Sequence, residues 1–184
     1  MRHAKSLWDD PKLSDHARPL NARGRASAVA MRKAMRERGL APDLVLVSSA
    51  RRTLQTLEAL GPWDETPLIE PMDALYLASA DAMLDVLHRV AETVRSVLIL
   101  GHNPGMHELA MTLVGAQGFT QGGFTQSGFS RATNTDAMLR HLAEGYPTGA
   151  LAEFTIAGAW ASVGEGAGQL QHFLTPRDLP EANA

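Results

Sequence analysis

The sequence of 184 residues contains no cysteine. That excludes disulfides, thiolate nucleophiles and cysteine-ligated zinc or iron–sulfur centres. No apolar run approaches the roughly 20 residues needed to span a bilayer, and no apolar stretch follows the early charges as it would in a secretory signal. An excess of positive charge is also missing. Seventeen Lys+Arg stand against twenty Asp+Glu, a formal net of −3, so no global basic field points to nucleic acid. These absences predict a soluble, cytoplasmic domain whose chemistry draws on His, Arg, Asp, Glu, Ser or Thr. The length suits one ordinary α/β domain, and nothing resembles an interdomain linker, so residues 1–184 are read as a single domain.

Two short apolar runs organise the chain. Leu44-Val45-Leu46-Val47 and Val97-Leu98-Ile99-Leu100 are continuous rather than alternating, as expected of strands covered on both faces. Each turns into a helical pattern. The first passes through Ser48-Ser49 to Leu54, Leu57 and Leu60; the second passes through Gly101-His102-Asn103-Pro104 to Met106, Leu109, Ala110 and Leu113, with Gly115 as a stop. Asn21 is a candidate N-cap for a helix presenting Ala28, Met31 and Met35 and closed by Gly39, and Ser79 for one presenting Met83, Leu87 and Val90. Leu151–Ile156 and Gln169–Leu174 read as strands closing the sheet. Strands alternating with helices predict a mostly parallel sheet. A Gly-rich stretch at about 117–134, with Phe-Thr-Gln twice, reads as a flexible surface loop that could fold over a site as a lid.

Ligands of open α/β sheets bind outside the carboxyl ends of the strands. Ser48, Ser49, Arg51 and Arg52 follow the first apolar run, Gly101, His102 and Asn103 follow the second, and Arg2-His3 open the chain. Arginines that bond phosphate oxygens in pairs, helix N-termini and a histidine nitrogen able to attack phosphorus together suit a phosphoryl group. Singly these features are ordinary: Arg-His is a common dipeptide, and an arginine pair in a first helical turn is usually a solvated face. His107-Glu108 does not complete the His-Glu-x-x-His spacing of a zinc helix, so no metal site is expected. His88, His141 and His172 read as surface or half-buried residues; His16, beside Arg18, could line the pocket mouth but is not singled out as a site residue.

The joint pattern resembles the histidine phosphatase superfamily, with the fold of phosphoglycerate mutase, and within it the SixA group of phosphohistidine phosphatases. Arg2-His3-Ala4-Lys5-Ser6 matches the opening Arg-His-Gly/Ala motif, and Arg18-Pro19-Leu20-Asn21 with Gly24 matches the Arg-Pro-Leu-Thr/Asn…Gly segment. Val47-Ser48-Ser49-Ala50-Arg51-Arg52-Thr53-Leu54-Gln55-Thr56 matches the Ser-x-x-x-Arg-x-x-Gln-Thr block, which selects Arg52 over Arg51. Gly101-His102-Asn103-Pro104-Gly105 matches the second-histidine block.

The resemblance implies a three-layer α/β/α fold with a mostly parallel central sheet. It makes His3 the nucleophile, with Arg2, Arg52 and His102 holding the transferring oxygens and Arg18 and Ser6 as further substrate contacts. Neither cofactor nor metal is implied, because arginines supply the positive charge. The implied partner is a phosphohistidine-bearing protein or a small phosphorylated molecule; nucleic acid and membrane are not implied. Hydrolysis of phosphohistidine through a covalent intermediate on His3 is the expected activity. The alternatives are a phosphatase for a small phosphate ester and a phosphate-binding module without turnover. Two departures stand out. Leu75-Tyr76-Leu77 puts leucine where many relatives carry a glutamate acid, which favours a P–N substrate. Only Met1 precedes Arg2, where relatives place an apolar central strand, so an extended product with apolar residues before Met1 is the expected functional form.

Overall fold

The computed structural model describes residues 1–8, 10–63, 66–121 and 134–179. Strand β1 (Leu44–Ser48) is buried along its whole length and lies at the centre of a three-stranded parallel sheet. It pairs with β2 (Leu68–Met72) through Leu44↔Leu68 and with β3 (Val97–Leu100) through Leu44↔Val97. β2 is mostly exposed and contains Pro71, which an edge strand tolerates because one side needs no ladder donor. Its short, polar-interrupted sequence carries little strand signal.

Alternation along β1 builds the layers. Leu44 and Leu46 join one core cluster with α3 (Ala80–Leu87), α4 (Gly105–Gln121) and α5 (Asn134–Glu144), through Met83, Leu109 and Leu142 among others. Val45 and Val47 join a second cluster with α1 (Ala22–Glu37) and α2 (Arg51–Leu60), through Met31, Met35, Leu57 and Leu60. Successive strand side chains point to opposite faces, so one buried strand nucleates two cores. The result is the expected three-layer α/β/α arrangement.

The predicted caps are present. Asn21 Oδ1 accepts from Gly24 N–H at 2.7 Å, and Ser79 Oγ accepts from Ala82 N–H at 3.3 Å. On α2, however, Leu54 faces solvent while Thr53 and Thr56 are buried with Leu57 and Leu60. The hydroxyls of both threonines are satisfied by helix and strand carbonyls, which lets polar residues take the inner face. Gly115 breaks the helical geometry of α4 at φ 65°, yet helix continues to Gln121. The expected loop at 117–134 is therefore corrected at both ends: 117–121 are helical and Asn134 opens α5. The rest of that stretch lies outside the described residues.

A further correction concerns the sheet. β4 (Leu151–Ile156) and β5 (Gly168–Leu174) pair antiparallel with each other rather than extending the ladder of β3. Among the described residues, Met1–His3 are the ones that lie between β3 and β4. Met1 N donates to Ile99 O at 2.7 Å, Gly101 N–H to Met1 O at 3.1 Å, His3 N–H to Gly101 O at 3.1 Å and Arg2 N–H to Ala150 O at 3.0 Å. These three residues occupy the end of the central slot nearest the site. The remainder is a cleft of about 800 Å³ lined by Val97, Ile99, Ala152 and Phe154, among others. Among the described residues no helix is long and apolar enough to cross a membrane.

Candidate active site

The carboxyl ends of β1 and β3, with Met1–His3 between β3 and β4, bring four motifs to one place. A pocket of about 510 Å³ is lined by Arg2, His3, Arg18, Arg52 and His102 among others. The larger cleft beside β4 holds none of these residues. Two motif glycines explain the close fit of backbone around the site. A Cβ on Gly24 would lie 2.1 Å from Lys5 O, and one on Gly105 would lie 1.9 Å from Ala78 O. Neither position has room for a side chain.

His3 is buried, and its Nδ1–H donates to Ala4 O at 2.7 Å. Because a carbonyl can only accept, this bond fixes the tautomer and leaves Nε2 unprotonated. Nε2 accepts from Arg52 Nε–H at 3.3 Å. Ala4 N–H in turn donates to Thr56 Oγ1 at 3.0 Å, which ties the nucleophile segment to α2. Burial pushes the His3 pKa down to about 4; the Ala4 hydrogen bond opposes this, and the charges of Arg52, Arg2 and Arg18 reinforce it. The ring is neutral at pH 7.

His102 faces His3, with ring centroids 5.1 Å apart. Its Nδ1 accepts from Arg52 Nη2 at 3.1 Å, so Nε2–H donates to Ser48 Oγ at 2.7 Å. Burial, then His3 and Arg52, lower its pKa to about 3. Tyr76 meets the His102 ring edge-on at 5.5 Å.

Arg52 is buried and Arg51 exposed, as the motif alignment predicts. Arg52 Nη1 donates to Asp15 O at 2.6 Å and Nη2 to Asp15 Oδ2 at 2.9 Å. Arg2 Nη1 donates to Tyr146 O at 2.8 Å, while its Nε is buried without a hydrogen-bond partner. Arg18 lines the pocket, but its guanidinium is engaged by Leu7 O, Asp15 Oδ1 and Ser6 Oγ at 2.7, 2.6 and 2.9 Å. Ser6 therefore holds Arg18 in this structure. His16 lies just outside the lining, on Ser49 Oγ at 3.0 Å. His107 donates to Leu142 O, His88 to Val163 O, and His172 pairs with Glu153, all away from the pocket.

Three participants escape sequence reasoning. Asp15 accepts from Arg52, from Arg18 and from Tyr76 Oη at 2.7 Å. Burial would raise its pKa, but the Tyr76 hydrogen bond and the two arginines outweigh that and bring it to about 2. The only signal was its place three residues before Arg18. Tyr76 immediately precedes Leu77, the leucine at the position of the family acid, and Ser48 carries no signal beyond its place at a strand end.

The model of the histidine phosphatase superfamily (branch 1) matches residues 1–75, which include the Arg2-His3 and Arg52 motifs. An uncharacterized protein of Mycobacterium tuberculosis is 33% identical over 178 residues, covering 96% of this chain and all of the relative. The chain belongs to the histidine phosphatase superfamily. Among solved structures, this histidine phosphatase is similar to a candidate phosphohistidine phosphatase SixA from Nakamurella multipartitia, at 28% identity and TM-score 0.78 over 96% of this chain and 93% of that one. A candidate SixA from Agrobacterium tumefaciens gives 28% and 0.74, over 96% and 95%. A protein histidine phosphatase SixA complexed with tungstate shares the fold, at 24% identity and TM-score 0.68, over 97% and 96%. The protein is a phosphohydrolase of the histidine phosphatase type with a phosphoglycerate mutase-like fold, and its substrate is phosphorylated.

Proposed function

We propose that this phosphatase hydrolyses phosphohistidine on a protein, through a covalent phosphohistidine intermediate on His3. The observation that carries the reading is the state of His3: neutral, with Nδ1–H held by Ala4 O and Nε2 turned toward Arg52. An incoming phosphoryl group takes over the Arg52 hydrogen bonds. It also lies against Arg2 and His102, which line the same pocket.

Nε2 of His3 forms a bond to phosphorus as the P–N bond to the substrate imidazole breaks, and the leaving nitrogen takes a proton from solvent. Water then attacks the phosphoenzyme, inorganic phosphate departs, and Nε2 regains its lone pair. Transfer of this kind depends on positioning and on cations around the equatorial oxygens. Arg2 and Arg52 supply that charge, and the neutral His102 ring packs beside them and helps to position the group.

The leaving group decides between substrates. Among the described lining residues the single carboxyl is Asp15, held near pKa 2 by Tyr76 and the arginines. It is ionised in the resting site and has no proton to give. A phosphoramidate nitrogen protonates readily by itself, whereas an alkyl oxygen needs a donor. This supports phosphohistidine over a phosphate ester.

The test is brief incubation with labelled phosphohistidine and, separately, with a labelled alkyl phosphate. The expected result is a protein adduct that is labile in acid and stable in base, formed from phosphohistidine much faster than from the ester. An adduct of the opposite lability, or preference for the ester, overturns the reading.

A further inference from the structure

Beyond the reacting groups, the pocket has a rim of its own. Its described lining carries six cations, Arg2, Lys5, Arg18, Arg23, Arg52 and Arg177, against one carboxylate, Asp15. The chain as a whole has a net charge of −3. Positive charge is therefore concentrated here against the overall balance. Arg18 and Arg52 are buried, but Lys5, Arg23 and Arg177 are exposed. Lys5 lies against the first turn of α1, where Gly24 packs on its backbone, and Arg23 belongs to that turn. No acidic residue occupies the first turn of α1, although a helix N-terminus favours acids and disfavours cations. The placement of Arg23 does not serve the helix.

Two apolar side chains line the same pocket. Trp8 is 77% exposed, with the Arg18 guanidinium carbon 3.4 Å from its ring centroid. Leu77 is 53% exposed and sits at φ 49°. A bulky side chain in the left-handed region is strained, and here the strain presents leucine to water. Trp8 gains its contact with Arg18 but leaves most of its ring in water, and the exposure of Leu77 does nothing for the fold. Exposed Trp and Leu beside arginines are the composition of a protein-binding patch.

We propose that this rim is a docking surface for the acidic, partly apolar protein face that carries the phosphohistidine. Acidic side chains meet Lys5 and Arg23 while apolar ones cover Trp8 and Leu77. The proposal rests on the phosphohistidine reading above and adds the chemistry of the partner around the modified residue. A small ligand with a second anionic group would use the cations but leave Trp8 and Leu77 in water, so the apolar rim favours a protein.

The experiment measures kcat/KM of the full chain on free phosphohistidine and on two phosphohistidine peptides, one flanked by Glu and Leu and one by Lys and Gly. The acidic peptide is expected to be the best of the three, about tenfold above the basic one. That ratio should fall toward one in a K5E/R23E double variant and in about 0.5 M salt. Leu77→Gly relieves the backbone and removes the side chain, so it should raise the melting temperature while lowering kcat/KM for the acidic peptide several-fold. Equal rates on the two peptides overturn the docking surface, as does a ratio untouched by charge reversal. Free phosphohistidine equalling the acidic peptide would assign the rim to a small ligand. If K5E/R23E fails to fold, the salt dependence of the wild-type ratio decides. Turnover of phosphohistidine without flank preference sinks this inference alone. No turnover of any phosphohistidine compound sinks the reading beneath it as well.

Discussion

Asp15 holds Arg52 by two atoms: its carbonyl oxygen accepts Nη1 at 2.6 Å and its carboxylate accepts Nη2 at 2.9 Å. The same guanidinium reaches His3 through Nε and His102 through Nη2. One arginine thus links both proposed catalytic histidines to a carboxylate twelve residues beyond His3. Asp15 sets its orientation.

This relationship predicts an order among variants. Arg52→Lys keeps the charge but loses the fork that spans His3, His102 and Asp15, so kcat/KM should fall about 10²- to 10³-fold. Arg51→Ala, at an exposed neighbour, should change it less than about twofold. Asp15→Ala frees Arg52 to wander and should cost about 10- to 100-fold, with Asp15→Asn intermediate because the amide oxygen still accepts. An Asp15→Ala enzyme as fast as wild type would mean that Arg52 is positioned by something else.

The two histidines should separate in a phosphoenzyme assay. His3→Ala should give no trapped adduct, because among the described lining residues no other nitrogen has its lone pair placed by a backbone acceptor. His102→Ala should still form the adduct, about 10²- to 10³-fold more slowly, since it loses one group around the transferring oxygens. Equal adduct from His3→Ala excludes it as the nucleophile.

Acid should weaken the fold in a defined window. Burial lowers His3 to about 4 and His102 to about 3, whereas an unfolded histidine titrates near 6.5. Between those values the unfolded chain binds more protons than the folded one, so stability rises with pH. The contribution is complete above about pH 6.5 and is lost as pH falls toward 4; His3 alone accounts for about 3 kcal/mol across that span. Thermal melts from pH 7 to pH 4 test this, and the acid limb of kcat/KM for the free enzyme should lie well below 6.5. A melting temperature flat across the window would contradict the neutral, buried pair.

The sequence by itself determined the elements whose signals are local. β1 and β3 are continuous apolar runs, Asn21 and Ser79 are caps with their own acceptors, and Arg2, His3, Arg52 and His102 lie in motifs of fixed spacing. Each was legible because the reason for it lies within a few residues. Tertiary structure decided whatever depends on groups distant in sequence. β2 is a strand only because β1 offers it an edge, and Leu54 faces water because Thr53 and Thr56 find carbonyls to satisfy their hydroxyls. The separation of β4 and β5 from β3 reflects what lies between them. Asp15 and Tyr76 entered the site because charge and hydrogen-bond complementarity to Arg52 act through space. A carboxylate is recognisable as such in a sequence, but its pKa and its task are set by neighbours that only the fold supplies.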